Sequence, residues 1–328
     1  MIFNQDFAEQ YKIFNCIPPV DLSAAANDGK PMPVSRFGGN EYSIRNFSRV
    51  TALVYKGRGT AGDDIEITVK QAKTHDADIS SADPLICSSI HSVSGNAQYF
   101  TQEAWVLEAE NVSLLSADGL AELDRIWAID IPISNIAEGN AVIAVSISQA
   151  GSAGNAQLGG CVMLGHNIDS NNGFVENHEV VFEKYDLKLG AFFKSMEYWP
   201  YNALRKFTWL MSTGVGTAGD DTTVSFHSNA SGNRADTPFK RIYVANNTSG
   251  IDYELDRVDN ADGSNSYTND IAAENSTIWV SDFDIYDFPA EHRFLGGVES
   301  FRVEMTQTTN SQPVVAFAIS SGARHTQR

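Results

Sequence analysis

Apolar positions along this chain recur in short runs, not in helical stripes. In "DIEITVKQA" (64–72), Ile65, Ile67 and Val69 alternate with Glu66, Thr68 and Lys70, the period of a strand with one buried face. "RVTALVYK" (49–56), "EAWVLEAE" (103–110), "RIWAIDIPI" (125–133), "NAVIAVSIS" (140–148) and "GGCVMLG" (159–165) are rich in β-branched and aromatic residues and predict further strands. Later in the chain "DTTVSFHS", "PFKRIYVAN", "STIWVSDFDIYDF" and "VESFRVEM" repeat the pattern, and loops of Gly, Asn, Asp and Ser separate the runs. The expected class is all-β, built from antiparallel β-sandwich, jelly-roll-like domains. Helix is expected only as short turns, in "SADGLAELDR" (116–125) and "QDFAEQYKIFN" (5–15).

Between the first two of these strands lies "GRGTAGDD" (57–64), whose Gly57, Gly59 and Gly62 match G-x-G-x-x-G. The dinucleotide fingerprint needs a helix after the glycines, so that its amides hold the pyrophosphate. Here a strand pattern follows, and Asp63 and Asp64 would repel phosphate. The stretch reads instead as a hairpin whose glycines supply φ > 0.

"GTAGDD" occurs again at 216–221, 157 residues on (216 − 59). At that offset without gaps, Asp130 falls on Asp287, Gly139 on Gly296, and Cys161 on Ala318. The reading is a tandem duplication of one β-domain. It divides the chain into an extended N-terminal arm (1–36), a first β-sandwich (37–165), an exposed linker (166–178) and a second β-sandwich (179–328).

Charge narrows the range of partners. The chain carries 41 acidic and 23 basic side chains, net −18. Cut before Gly165, it has 19 acids and 10 bases in the first part and 22 and 13 in the second, −9 each. Neither half has the clustered Lys and Arg that neutralise phosphates, so no nucleic-acid partner is expected. The start "MIFNQDFAEQYKIFN" lacks the basic-then-apolar pattern of a signal peptide, and no apolar run approaches the ~18 residues of a membrane span. Three cysteines, Cys16, Cys87 and Cys161, suit folding in a reducing cytoplasm better than a disulfide framework.

The search for catalytic chemistry gives little. "GCVMLGHN" (160–167) has phosphate-loop glycine spacing but His166 where the lysine must stand, and no G-x-S-x-G elbow exists. Cys161, His166 and His178 lack metal-site spacing, and Asp63 with Asp64 offers a hard cation only two carboxylates. Glu108, Glu110, Asp282 and Asp284 read as solvated acids. No enzyme, cofactor or metal is expected. "MEYWPYNALRKFTW" (196–209) gathers Tyr198, Trp199, Tyr201 and Trp209, rings that fit a subunit interface, a packed core or a sugar-stacking platform.

Four stretches carry a family likeness: "PPVDL" (18–22), the polar lead "NFSRV" (46–50), "KGRGTAGDD" (56–64) and "AQLG" (156–159). Together they make residues 11–165 resemble a family of structural proteins with units of about 150 residues, encoded in the head-gene region of tailed bacteriophages. The second half departs from the pattern: it keeps the glycine loop but offers only Asp186 and Leu187 of the "PPVDL" stretch. The resemblance implies a virion protein that decorates or stabilises the outer capsid surface after synthesis in the host cytoplasm. Its implied partners are the major capsid protein, other virion proteins and further copies of itself. Pro18 and Pro19, with Pro31 and Pro33, then mark an arm that lies across a neighbouring subunit. Two other roles stay open: a tail or head-to-tail connector component, and a carbohydrate-binding, receptor-recognition protein using Tyr198, Trp199 and Trp209.

Overall fold

A computed structural model describes residues 7, 11–22, 27–34, 47–95, 105–116, 124–149, 157–167, 178–184, 193–194, 206–214, 222–230, 233–236, 241–246, 256–259, 266–269, 277–283, 293–294, 297–298, 300–307 and 314–321. The chain is all-β and divides into two compact units, with the sequence boundary between Glu176 and Asn177.

The first unit contains β1 (Tyr11–Asp21), β2 (Asn27–Asp28), β3 (Met32–Pro33), β4 (Phe47–Lys56), β5 (Ile65–Ala72), β6 (Asp83–Pro84), β7 (Cys87–Gly95), β8 (Val106–Val112), β9 (Leu114–Ser116), β10 (Asp124–Pro132), β11 (Val142–Gln149) and β12 (Leu158–Asn167). One sheet runs β1-β12-β4-β10-β7-β8; the other runs β2-β11-β5-β6, with β3 on β11 and β9 on β5. All of these pairings are antiparallel, and four of them join β1 to β12, β2 to β11, β4 to β10 and β5 to β9. Taking those eight strands as the core, the first pairs with the last, the second with the seventh, and so inward, which is a long ribbon rolled into a jelly roll. β7 and β8 widen the first sheet beyond this core.

Strand burial follows the sequence pattern where a strand has one wet face. Ile65, Ile67 and Val69 are buried while Glu66, Thr68 and Lys70 are half-buried. β4 is different, with every residue from Val50 to Lys56 buried, so both of its faces are covered. The polar Thr51 in that run is satisfied by its hydroxyl, 2.7 Å from His166 Nε2.

The second unit contains β13 (His178–Lys184), β14 (Phe193–Lys194), β15 (Lys206–Thr213), β16 (Thr222–Ala230), β17 (Asn233–Asp236), β18 (Arg241–Asn246), β19 (Asp256–Asp259), β20 (Ser266–Asn269), β21 (Thr277–Phe283), β22 (Arg293–Phe294), β23 (Gly297–Val298), β24 (Ser300–Gln307) and β25 (Val314–Ser321). Its sheets run β13-β25-β15-β21-β18-β19 and β14-β24-β16-β17, with β20 on β16. The pairing order of the first unit recurs here, with β20 in the place of β9; β3 has no counterpart among the described strands, and β22 and β23 form a separate antiparallel pair.

Pairing registers correct the gap-free offset. Val54 of β4 and Met211 of β15 are 157 apart (211 − 54), and β5 and β16 begin at Ile65 and Thr222, also 157 apart (222 − 65). Val54 faces Trp127, whereas Met211 faces Trp279, which makes those tryptophans equivalent at an offset of 152 (279 − 127). By the same register Asp130 corresponds to Asp282, not Asp287. Across the other edge, Val54 faces Cys161 and Met211 faces Ala316, so Cys161 corresponds to Ala316, not Ala318. Between matching strands of the two units the loops differ in length, while the pairing partners match.

Three local expectations also change. The glycine stretch is no hairpin, because β4 and β5 lie in different sheets; it carries the chain across the sandwich. Residues 11–15, expected in a helical turn, are strand, as are Ser116, Asp124 and Arg125 of the other expected turn. The N-terminal arm is, over residues 11–21, the first core strand of the jelly roll, paired along β12 from Tyr11–His166 to Asp21–Leu158. Ile13, Phe14 and Ile17 are each less than 5% exposed. An apolar strand of this kind is held by its own sheet, since leaving those side chains in water would cost about 1.5–3 kcal/mol each.

Candidate functional site

Three of the four stretches that carry the family likeness come together at one end of the first sheet; the fourth, "NFSRV", enters β4 at its other end, where Phe47 pairs with Asn167. The Leu22 amide donates to the Gln157 carbonyl at 2.8 Å, and the Gln157 amide donates to Asp21 Oδ1 at 3.0 Å. From there Gln157 Nε2 reaches the Gly57 carbonyl at 3.3 Å, and the Gly57 amide donates to Leu158 O at 2.7 Å. Lys56 Nζ also donates to the Gly57 carbonyl, at 3.2 Å. "PPVDL", "KGRGTAGDD" and "AQLG" are thus three parts of one hydrogen-bonded junction, and Lys56 and Gln157 in it are buried.

Glycines shape the same junction. A methyl group at Gly159 would overlap the Leu22 side chain, and one at Gly160 would overlap the Tyr55 hydroxyl. The paired glycines of "LGG" therefore make room for Leu22 of "PPVDL" and for Tyr55 at the end of β4. Pro18 and Pro19 sit in the β1 irregularity between Ile17 and Val20, where the ladder asks for no amide; Pro19 is buried and Pro18 half-buried. Both prolines are placed within the chain's own sheet.

In the crossover loop, Gly62 adopts φ +92°, the left-handed region that glycine tolerates. Buried Asp63 closes the turn: it accepts the Thr60 amide at 2.9 Å and Gln149 Nε2 at 3.2 Å, while its own amide donates to Thr60 O at 3.0 Å. Its carboxylate is therefore engaged by the fold. Arg58 pairs with the largely buried Asp124 at 3.3 Å, tying the loop to β10. Among the described residues no group of three or more His, Cys, Asp and Glu gathers as a metal site. Cys161 and His166 are five residues apart on β12 and so project from opposite faces.

Of the aromatic candidates, Tyr198, Trp199 and Tyr201 lie outside the described residues, as does Asp284. Trp209 lies on β15, with Ser281 and Ala318 as its neighbours across the two adjoining strands. Glu108, read as a solvated acid, forms an ion pair with Arg125 at 3.0 Å, and the same guanidinium donates to Ser92 Oγ at 2.8 Å.

One surface escaped the sequence reading. β8 stands at the end of the first sheet and, among the described residues, pairs only with β7. Val106, Leu107, Glu108, Glu110 and Asn111 on it are exposed. Val106 (57% exposed), Leu107 (49%), Leu114 (44%) and Ile86 (53%) are the exposed large apolar side chains among the described residues. Val106 and Leu107 lie on β8 itself, Ile86 precedes β7, and Leu114 lies on β9, paired with Thr68 of the second sheet. The available signal was "WVL" (105–107), consecutive large apolar residues that a strand must divide between its faces.

No protein-family model matches the chain, and no curated protein matches it. Among solved structures, similarity extends to the PBSX exported protein XepA, at 11% identity and a TM-score of 0.22, covering 97% of each chain. It extends also to N-glycanase F (PNGase F), at 10% identity and 0.20, covering 95% of this chain and 96% of that one. The major capsid protein P2 of bacteriophage PM2 gives 8% and 0.16, covering 96% and 98%. Likenesses this distant carry no argument about function.

Proposed function

We propose that the chain is a non-enzymatic bacteriophage virion protein, a tandem duplication of one jelly-roll unit that decorates or stabilises the capsid exterior through protein–protein interfaces. The observation that supports this reading is the junction of Asp21, Gly57 and Gln157. Three of the four stretches that resemble the phage head-region family knit the first jelly roll together there, so the likeness falls on residues that specify a fold. A net charge of −18 fits the outer surface, because packaged DNA would repel such a chain from the lumen. The major capsid protein is the proposed partner, with several copies of this chain on each particle.

Mass spectrometry of gradient-purified particles, with gold-labelled antibody to the chain in electron microscopy, tests the assignment. Label on intact heads is expected. Label confined to tails or to the head-to-tail junction would move the chain there. Absence from particles, combined with glycan retention that Trp199→Ala abolishes, would replace this reading with receptor recognition.

A further inference from the structure

The ladder between β1 and β12 is interrupted where it passes from Asn15–Val162 to Ile17–Cys161. Cys16 is the extra residue, so Cys16 and Ile17 together stand opposite Cys161. Gly29 marks where their side chains go. A methyl group there would overlap the Cys16 sulfur and press on Ile17 Cγ1, so two consecutive residues of β1 point to the same side. Residues paired directly across a ladder also share a side, which brings Cys161 to that side as well. The two thiols meet there, with Cys161 hydrogen-bonded to Cys16. Residues that face each other across antiparallel strands have Cα atoms about 4.5–5.5 Å apart, inside the span of about 4.4–6.8 Å that a disulfide bridges. We propose that Cys16 and Cys161 are a latent disulfide site, oxidised by a small-molecule disulfide once the chain leaves a reducing medium, so that the first and last core strands of the first jelly roll become covalently joined.

The fold itself does not require this pair. In the second unit β13 and β25 run without a bulge from His178–Ser321 to Lys184–Val315, and Ala316, the counterpart of Cys161, stands opposite Glu183. Cys87 is kept apart: it lies on β7, three strands along the sheet from β12, and its sulfur donates to the Val112 carbonyl. In the folded chain Cys16 and Cys161 are 1% and 0% exposed, and burial, with the bond to Cys16, holds the Cys161 thiol well above its ordinary 9.0. Both thiols are therefore inert until β1, the strand at the edge of its sheet, frays. Fraying exposes Cys16 first. Its thiolate attacks one sulfur of the small disulfide, which releases one small thiol and leaves a mixed disulfide on Cys16. As β1 docks again, the Cys161 thiolate attacks the Cys16 sulfur; the new S–S bond closes and the second small thiol departs. The protein thiols give up two electrons and two protons, and the small disulfide takes both up as two thiols. The bridge spans 145 positions (161 − 16), and a cross-link over so long a loop strongly restricts the unfolded chain. The pair serves this role whether or not the chain resides on a virion.

Incubation of the reduced, full-length chain with oxidised glutathione, followed by non-reducing proteolysis and mass spectrometry, tests the pair. A single bridge between Cys16 and Cys161 is expected, with a mass lower by two hydrogens, while Cys87 stays open to alkylation once the chain is unfolded. Urea below the unfolding transition should speed its formation severalfold. The oxidised first unit should melt higher than the reduced one by about 5–15 °C, and dithiothreitol should reverse the shift. Cys161→Ala and, separately, Cys16→Ala are expected to abolish both the bridge and the shift; Cys87→Ala should keep them. Three free thiols after unfolding and refolding of the natural chain in the oxidant would overturn the proposal. So would a reaction that stops at the mixed disulfide, or a bridge that includes Cys87 or joins two chains. A bridge between Cys16 and Cys161 that fails to raise the midpoint would overturn it as well, because the folded strands would then not bring the two sulfurs together.

Discussion

Asp21 and Gln157, 136 positions apart, are joined where the Gln157 amide donates to Asp21 Oδ1 at 3.0 Å. Beside them the Leu22 amide meets the Gln157 carbonyl, so the last residues of β1 and the residue before β12 are clamped from both sides. Gln157 then reaches on to Gly57, at the exit from β4. Three adjacent strands of the first sheet, β1, β12 and β4, are therefore fixed in register at one point.

Removing either side chain should cost stability without changing the fold. Asp21→Ala loses the acceptor of the Gln157 amide and Gln157→Ala loses the side-chain bond to the Gly57 carbonyl, each expected to destabilise the first unit by about 1–2 kcal/mol, the range for a hydrogen bond lost from a partly buried site. Alanine at 157 keeps the amide that donates to Asp21, so the double variant should lose about the sum. Urea unfolding followed by circular dichroism measures all three, and a double variant far from the sum would show that the two bonds are not independent.

Gly160→Ala should be more damaging than its size suggests. Its new methyl group would meet the Tyr55 hydroxyl and the Ile17 carbonyl, an overpacking expected to cost about 1–3 kcal/mol. Tyr55→Phe removes the hydroxyl, so in that background the same change should cost measurably less. Equal costs in both backgrounds would show that Tyr55 is not what the glycine accommodates.

Alternation on β5 gives a contrast within one strand. Ile67 is 1% exposed and its neighbour Thr68 half-buried. Ile67→Ala is expected to cost about 2–5 kcal/mol, whereas Thr68→Ala should stay within about 0.5 kcal/mol. Denaturant midpoints of the two variants compare them directly.

How much the sequence disclosed follows the range of the interactions. Ile65, Ile67 and Val69 were legible because their alternation is local. The twofold architecture was legible because "GTAGDD" repeats, yet the gap-free offset misplaced Asp130 and Cys161 once loop lengths diverged. β1 looked like an arm because prolines interrupt an apolar run, and its partner β12 lies more than 130 residues downstream. The turn at Gly62 looked like a hairpin because neighbouring strands often pair, but rolling the ribbon sends β4 and β5 to different sheets. Exposure at Leu107 depends on which strand ends the sheet, and no local pattern contains that.

Alkaline pH should weaken the fold through Cys87. Burial pushes Cys87 from an ordinary 9.0 up to about 11, while its sulfur donates to the Val112 carbonyl. The folded chain holds a proton that the unfolded chain releases, so the stabilisation is complete below pH 9 and is lost as pH rises toward 11. Thermal midpoints measured over that window should fall less steeply for Cys87→Ala than for the natural chain. Parallel curves would mean that Cys87 does not titrate on unfolding.

The most direct test of the virion assignment is co-sedimentation of the purified, full-length chain with heads assembled from the same phage genome lacking its gene. Residues 1–36 must stay in place, because β1 is a core strand. Saturable binding, at a fixed number of copies per head and competed by unlabelled chain, is the predicted result. Chain that stays in the supernatant at every concentration, while circular dichroism shows it folded, would contradict a capsid-surface role.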